Sequence, residues 1–262
     1  MPYVIAICHQ KGGVAKTTTT LSLGASFIGL GLKTLLIDLD PQANLTSSVG
    51  LDSNEAKYSI AEALLGEADP AAVVMETSLP GLDIVPSNAS MLTIGRQLYG
   101  LPEYEYRLRG VLRTPAIQEY QVVLLDCAPA VGPLTFNALT AANLLVIPTQ
   151  CEFLSIQALA DMFELIKLIR NRTNPDLAYR LLVTMFDRRG TFHTRMLEQL
   201  RDYFNIGLLN TIIGFDTKLR ESQLAGVPVS VHAPQSRGAQ QYRQLAEELN
   251  IYVAKQPQIQ TA

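Results

Sequence analysis

"YVIAICHQKGGVAKTTTT", residues 3–20, opens as a continuous apolar run and reaches a lysine-threonine pair at Lys16 and Thr17. An apolar run without alternation suits a strand covered on both faces, as in a parallel sheet. The segment after it nearly matches the phosphate-loop pattern G-x-x-x-x-G-K-[ST]. Lys16 and Thr17 fit the end of that pattern. The glycine expected just before the lysine is Ala15, and the one expected five residues earlier is Gln10. A glycine pair, Gly12-Gly13, and a second lysine, Lys11, stand nearby instead. The strand, the glycine-bearing loop and a helix from about Lys16 supply the context that such a loop needs.

The chemistry follows from backbone geometry. Gly12 and Gly13 let the chain approach an anion and accept positive φ. The N–H groups of Gly13, Val14, Ala15, Lys16, Thr17 and Thr18 can point at phosphate, aided by roughly half a positive charge at the helix start. Lys16 is expected to reach the β- and γ-phosphates, and the Thr17 hydroxyl to hold Mg²⁺. Ala15 is expected to keep a helical or bridge backbone. Two further strands end in acids. "LLIDLDPQ" sets Asp38 and Asp40 two residues apart, on the same side of a strand. "VVLLDCAP" ends a second buried run in Asp126. A carboxylate after four apolar residues is costly unless it meets a cation or hydrogen-bond donors, and Mg²⁺ with its water is the natural partner.

The remaining chain repeats one theme. The runs "LDIVPS", "ANLLVIPT", "YRLLVTMF" and "LLNTIIG" read as further buried strands, with helical patterns between most of them. Leu21, Gly24 and Ile28 share one helix face; Ile156, Leu159, Phe163 and Ile166 another; Phe192, Met196, Leu200 and Phe204 a third. Alternating strands and helices predict an α/β fold: a doubly wound, mostly parallel sheet flanked by helices, with ligands at the carboxyl ends of the strands. Without a repeat or linker, residues 1–262 are expected to form a single domain, with a flexible tail from about residue 254. Residues 51–80 and 100–118 are the least regular and are expected at the periphery. Cys8, Cys127 and Cys151 lie at or near the ends of apolar runs and are expected as buried, reduced thiols. The N-terminus reads as no signal peptide, and no run reaches the ~18–20 apolar residues of a membrane span. A cytoplasmic protein is expected.

The motifs "KGGVAKTTTTLSLG", "LLIDLDPQANLT" and "VVLLDCAPAVGPLTFNALTAANLLVIPTQCEF", in that order, resemble the ParA/Soj branch of the deviant Walker A ATPases, relatives of MinD. The likeness runs from residue 3 to about residue 250. It implies binding of ATP/ADP with Mg²⁺ and an ATPase that is slow alone and stimulated by a partner. It implies that Lys11 is the signature lysine, which crosses to the nucleotide of a second subunit in an ATP-sandwich homodimer, and that Gly12 lies at that interface. Lys11, Lys16 and Asp40 become the catalytic residues, with Asp40 tied to activation of the attacking water. Thr17, Asp38 and Asp126 become the metal positions. Met185 and Asp187 match base-proximal positions. Two departures stand out: the prolines often found after the Asp-Cys pair are here Ala128 and Pro129, and a "PRNVR" segment is here "GFDTK". Phe215 could pack on the base, and Asp216 could accept from an adenine amino group.

Charge is unevenly spread. Residues 1–131 carry eight lysines and arginines against thirteen acids, whereas residues 132–262 carry thirteen against eleven. Polyanion contacts therefore belong to the second half. The resemblance implies double-stranded DNA binding without sequence preference, through phosphate contacts, and hence a nucleoid-associated protein. Arg189 and Lys218 align with DNA-contacting positions, with Arg188, Arg220, Arg237 and Arg243 as neighbours and Arg195 and Arg201 as a possible extension. The implied task is partition of chromosome or plasmid DNA with a ParB-like adaptor, or positioning of another cargo such as a carboxysome or chemoreceptor array. MinD-like membrane targeting needs a basic amphipathic C-terminal helix. In "GAQQYRQLAEELNIYVAK" the stripe Tyr242, Leu245, Leu249 and Tyr252 reads instead as docking on the sheet, with Arg243 set against Glu247 and Glu248. An iron protein of the nitrogenase type needs two cysteines per subunit at a bridging cluster; Cys127 has no obvious partner, since Cys151 ends the next strand.

Overall fold

The computed structural model describes residues 1–255, apart from the side chains of residues 153–157. The first half contains β1 Tyr3–Ile7, α1 Lys16–Gly29, β2 Thr34–Asp38, α2 Asn44–Ser48, α3 Ile60–Leu65, β3 Met75–Glu76, β4 Leu82–Val85, α4 Met91–Tyr99, α5 Arg107–Leu112, α6 Pro115–Gln118 and β5 Val122–Asp126. The second half contains α7 Pro133–Ala141, β6 Leu144–Gln150, α8 Phe153–Arg172, β7 Ala178–Phe186, α9 Thr191–Phe204, β8 Leu208–Gly214, α10 Thr217–Leu224, α11 Val229–His232 and α12 Arg237–Ala254.

The strands form one eight-stranded sheet in the order β3-β4-β2-β5-β1-β6-β7-β8. Every neighbouring pair is parallel except β3 with β4. The continuous apolar runs explain this, because a parallel sheet needs cover on both faces. One face packs Val4, Ala6, Leu35, Ile37, Val123 and Leu125 under the helices from α3 to α9. The other packs Tyr3, Ile5, Ile7, Leu36 and Leu124 under α1 and α12. Helix α12 docks as its stripe predicts: Tyr242, Leu245 and Leu249 are fully buried. Glu248 does not face Arg243 in an ion pair but accepts from the backbone N–H groups of Asn210 and Thr211 on β8, at 2.7 and 2.9 Å.

Three details depart from expectation. Residues 51–80 and 100–118 hold short helices and a two-residue strand, and they are not merely peripheral, for Ile60, Leu64, Leu108 and Ile117 are buried in the core. Phe192 is 53% exposed, and the inner face of α9 is made by Leu197 and Leu200 with half-buried Met196 and Phe204. Of the α8 stripe, Leu159 and Ile166 are buried and Phe163 packs against the core, while the side chain of Ile156 lies outside the described residues. The tail expected from about residue 254 falls, from residue 256 onward, outside them too.

All three cysteines are buried. They follow β5, β1 and β6, three adjacent strands, at the carboxyl edge of the sheet.

Candidate functional site

The loop between β1 and α1 lies at the carboxyl edge, with β5 and β6 flanking β1. Gly13 has φ +75°. Ala15, the N-cap of α1, has φ 68° and ψ 35°. This corrects the expected helical or bridge backbone: the residue is left-handed, the conformation for which a glycine would be chosen. The surrounding chain holds it there. Gln150 Nε2 donates to the Gly13 carbonyl at 2.9 Å, Thr184 Oγ1 donates to the Val14 carbonyl at 3.1 Å, and the Ala15 carbonyl accepts from Thr19 N–H at 2.9 Å. The loop wraps Lys16, which is 8% exposed and donates to the Lys11 carbonyl at 3.1 Å.

The acids converge because of register. Asp38 on β2 pairs with Asp126 on β5, and Asp126 pairs with Ile7 on β1. Thr17 Oγ1 donates to Asp126 Oδ2 at 2.7 Å, and Thr20 Oγ1 lies 3.3 Å from Oδ1. Asp38 accepts from Thr46 N–H at 2.9 Å, from the Thr46 hydroxyl at 2.8 Å and from Asp40 N–H at 3.1 Å. Asp40 accepts from Gln42 N–H at 3.0 Å and lines the open cleft. Burial pushes the Asp38 carboxyl up to about 6. Burial and then the Asp38 charge push Asp126 up to about 8. Two adjacent buried carboxyls that resist ionisation are groups whose charged forms a nearby cation would favour. With the Thr17 hydroxyl they form an all-oxygen donor set that fits Mg²⁺.

Of these groups, Lys16, Thr17 and Asp40 line a cleft of 1110 Å³, whereas Asp38 and Asp126 are buried and do not belong to its lining. One end is lined by Gly12, Gly13, Ala15, Lys16, Thr17 and Thr18, and one side by Asp40 and residues 128–130. Met185, Gly214, Phe215, Asp216, Arg220 and Gln223 line it as well. Met185 has φ 52°, with its sulfur 2.7 Å from Gln150 Nε2. Asp187 is absent from the lining. Its carboxylate is gripped by Arg189 at 3.0 and 2.9 Å. Asp216 caps α10: Oδ1 accepts from Lys218 N–H at 3.0 Å and Oδ2 from Gly238 N–H at 2.8 Å.

Lys11 lies at the rim. Its Nζ is 2.7 Å from Glu152 Oε2 and 3.4 Å from Gln150 Oε1. A side chain at Gly12 would meet no atom within 4 Å, so this stretch of backbone is uncovered. Sequence reasoning missed Gln150, Glu152, Thr46 and Gln223. The signal for the first two was polar residues at and just after the carboxyl end of an apolar run; Gln223, which donates to Thr18 Oγ1 at 3.0 Å from 205 residues away, left none.

The basic candidates differ in what holds each of them. Arg189 is exposed but held by Asp187, and Lys218 Nζ is 2.6 Å from Glu221. Arg220 lies over the Phe215 ring, 5.0 Å from its centroid. Arg237 donates to the Phe215 carbonyl. Arg188, Arg195, Arg201 and Arg243 are exposed.

A parallel sheet with a phosphate-type loop after β1 and paired acids ending β2 and β5 defines a P-loop nucleotide-hydrolysing domain. Comparisons agree. A family model described as an AAA domain matches residues 3–179. The chain is 34% identical over 250 residues to sporulation initiation inhibitor protein Soj of Bacillus subtilis, covering 95% of this chain and 98% of that one. It is 34% identical over 248 residues to chromosome partitioning protein ParA of Caulobacter vibrioides, covering 94% and 93%. Among solved structures, a cobyrinic acid a,c-diamide synthase from Mycobacterium smegmatis with bound ATP analog and magnesium is similar, with a TM-score of 0.86, 33% identity and 97% of both chains covered. The chain belongs to the ParA/MinD superfamily of P-loop ATPases, with Soj- and ParA-type proteins among its relatives.

Proposed function

We propose that this protein binds and hydrolyses ATP with Mg²⁺, closes as an ATP-sandwich homodimer, binds double-stranded DNA without sequence preference, and partitions chromosome or plasmid DNA with a ParB-like adaptor. The observation that carries the reading is the loop itself, with two lysines facing different ways. Lys16 is buried against the loop, while Lys11 reaches the rim beside the uncovered Gly12. Phosphoryl transfer is mostly positioning and charge stabilisation. Lys16 and the N–H groups of residues 13–18 would hold the phosphates. Thr17, Asp38 and Asp126 would hold Mg²⁺, which would neutralise phosphate charge. Asp40, at the open side of the cleft, would orient the attacking water. Lys11 would leave Glu152 and reach the nucleotide of the second subunit, as an arginine finger does, so that dimerisation reads the bound nucleotide. The adaptor would speed hydrolysis and the ADP form would release DNA. The protein would then sit in the cytoplasm on the nucleoid; among the described residues no helix is long and apolar enough to cross a membrane.

The partition reading is supported by the Soj and ParA relatives, which match nearly end to end. The same machinery could position another cargo, and identifying the adaptor captured in the ATP state separates these tasks. The synthase activity named for the Mycobacterium structure is that protein's and is not carried over to this chain. The deciding experiment is light scattering with ATP: the wild type shifts from monomer to dimer and Lys11→Ala stays monomeric. A Lys11→Ala protein that dimerises and hydrolyses like the wild type refutes the assignment.

A further inference from the structure

We propose that Ser87 is a positioning residue for ATP hydrolysis: its hydroxyl anchors the main chain of Asp40, and with Thr46 it closes a buried ring of hydrogen bonds that fixes where the Asp40 carboxylate stands in the cleft. This rests on reading Asp40 as the residue that orients the attacking water and adds to it the groups that hold it.

The ring runs through four residues on three segments of chain. Ser87 follows β4, and its Oγ donates to the Asp40 carbonyl at 2.8 Å. The N–H of Ser87 donates to Thr46 Oγ1 at 3.0 Å. Thr46, on α2, donates from the same hydroxyl to Asp38 Oδ2 at 2.8 Å. Asp38 Oδ1 accepts from Asp40 N–H at 3.1 Å, which closes the ring. Asp38, Thr46 and Ser87 are fully buried, and of the four only Asp40 lines the cleft.

The direction of each bond is set by chemistry. A backbone N–H can only donate, so Thr46 Oγ1 accepts from Ser87 and sends its own proton to Asp38. A carbonyl can only accept, so the Ser87 hydroxyl proton goes to Asp40. The ring therefore runs with one polarity, and removing either hydroxyl opens it.

Asp40 opens a turn that the backbone does not favour. Ala43 has φ 52°, in the left-handed region. Such a conformation persists only where its neighbours over-determine it. Within the turn, Ala43 N–H donates to the Asp40 carbonyl at 2.9 Å. The Ser87 hydroxyl brings a second donor to that carbonyl from the end of another strand, and so ties the turn to the sheet. The segment that carries Ser87 is braced in turn. The Pro86 carbonyl accepts from Ile60 N–H at 3.2 Å, at the start of α3, where Ser59 and Glu62 cap the helix reciprocally. With its N–H and its carbonyl both held, Asp40 projects its carboxylate from a fixed backbone. A displacement of ~1 Å at a reacting group can cost about a hundredfold in rate. A ring that served stability alone would lower the melting point when opened and leave the rate per bound ATP unchanged.

The test compares Ser87→Ala, Thr46→Val and Thr46→Ser with the wild type, in the full chain. It reads labelled phosphate released from ATP with Mg²⁺, affinity for a fluorescent ATP analogue, and thermal unfolding. Ser87→Ala should lower kcat by about three- to thirtyfold, with KM and analogue affinity within about twofold of the wild type. Thr46→Val keeps the shape and removes the hydroxyl, and should lower kcat likewise. Thr46→Ser keeps the hydroxyl and should turn over within about threefold of the wild type. Wild-type kcat in Ser87→Ala, or a loss of analogue affinity that matches the loss of turnover, overturns the proposal. If Ser87→Ala does not fold, the Thr46 pair decides, and equal turnover in Thr46→Val and Thr46→Ser overturns it. Asp40→Ala separates the two readings. Turnover that falls there but not in Ser87→Ala sinks the ring alone, whereas unchanged turnover in Asp40→Ala sinks the role of Asp40 and the ring together.

Discussion

Ala15 sits where the phosphate-loop pattern has glycine, and its backbone shows why. At φ 68° and ψ 35° its Cβ crowds the backbone, at a cost of roughly 1–2 kcal/mol. Glycine would remove that strain but enlarge the freedom of the unfolded chain, which offsets roughly 0.5–1 kcal/mol. The balance favours Ala15→Gly by about 0.5–1 kcal/mol, or roughly 1–4 °C in Tm for a chain of this size. Ala15→Val should fall below the wild type, since a β-branched residue fits this region worse. Thermal unfolding of the three proteins checks the order; a melting point for Ala15→Gly below that of the wild type contradicts it. The expectation of a helical backbone at Ala15 weighed the added methyl and not the φ that glycine implies. The pattern itself contained the answer.

Helix α1 shows how an element is fixed by one absent side chain. A Cβ at Gly24 would stand 2.8 Å from Leu36 Cδ2 and 3.2 Å from Leu82 Cδ1, both in fully buried leucines on β2 and β4. Gly24→Val should lower stability by about 2–3 kcal/mol, because overpacking in a closed core forces neighbours off their rotamers. Chemical denaturation measures it, and a loss below about 0.5 kcal/mol would show that the leucines repack freely. The spacing places Gly24 on one helix face with Leu21 and Ile28, and the seven apolar runs are all strands. Such runs are legible because cover on both faces leaves no polar interruption. Helices α3, α5 and α6 were not legible, since four to six residues barely complete a turn or two and show no period. Phe192 was assigned inward because helical spacing alone cannot mark where a stripe ends. In the site, each of Asp38, Asp40 and Asp126 was legible as a strand-end acid. That Asp38 and Asp126 stand side by side was not, since β2 and β5 are far apart in sequence and their register is set by the whole sheet.

The charge of the whole molecule is less simple than its halves suggest. The second half has a formal excess of two positive charges, yet Arg189 and Lys218 each lie against an acid of their own chain. Glu221 meets both Lys218 at 2.6 Å and His232 at 3.5 Å, so one carboxylate screens two bases. If DNA retention runs through Lys218, Glu221→Gln should strengthen it and steepen its salt dependence by up to about one unit in the log–log slope. Filter retention on mixed-sequence DNA across a salt series reads both, and weaker retention in Glu221→Gln would remove Lys218 from the surface. The three thiols have a different consequence. Cys127, Cys8 and Cys151 line up under adjacent strands, each 2% exposed or less. A thiol reagent can reach them only when the carboxyl edge of the sheet opens, so the pace of labelling is a built-in clock for that opening. The protein carries its own chemical probe at the place where its ligand would close the structure.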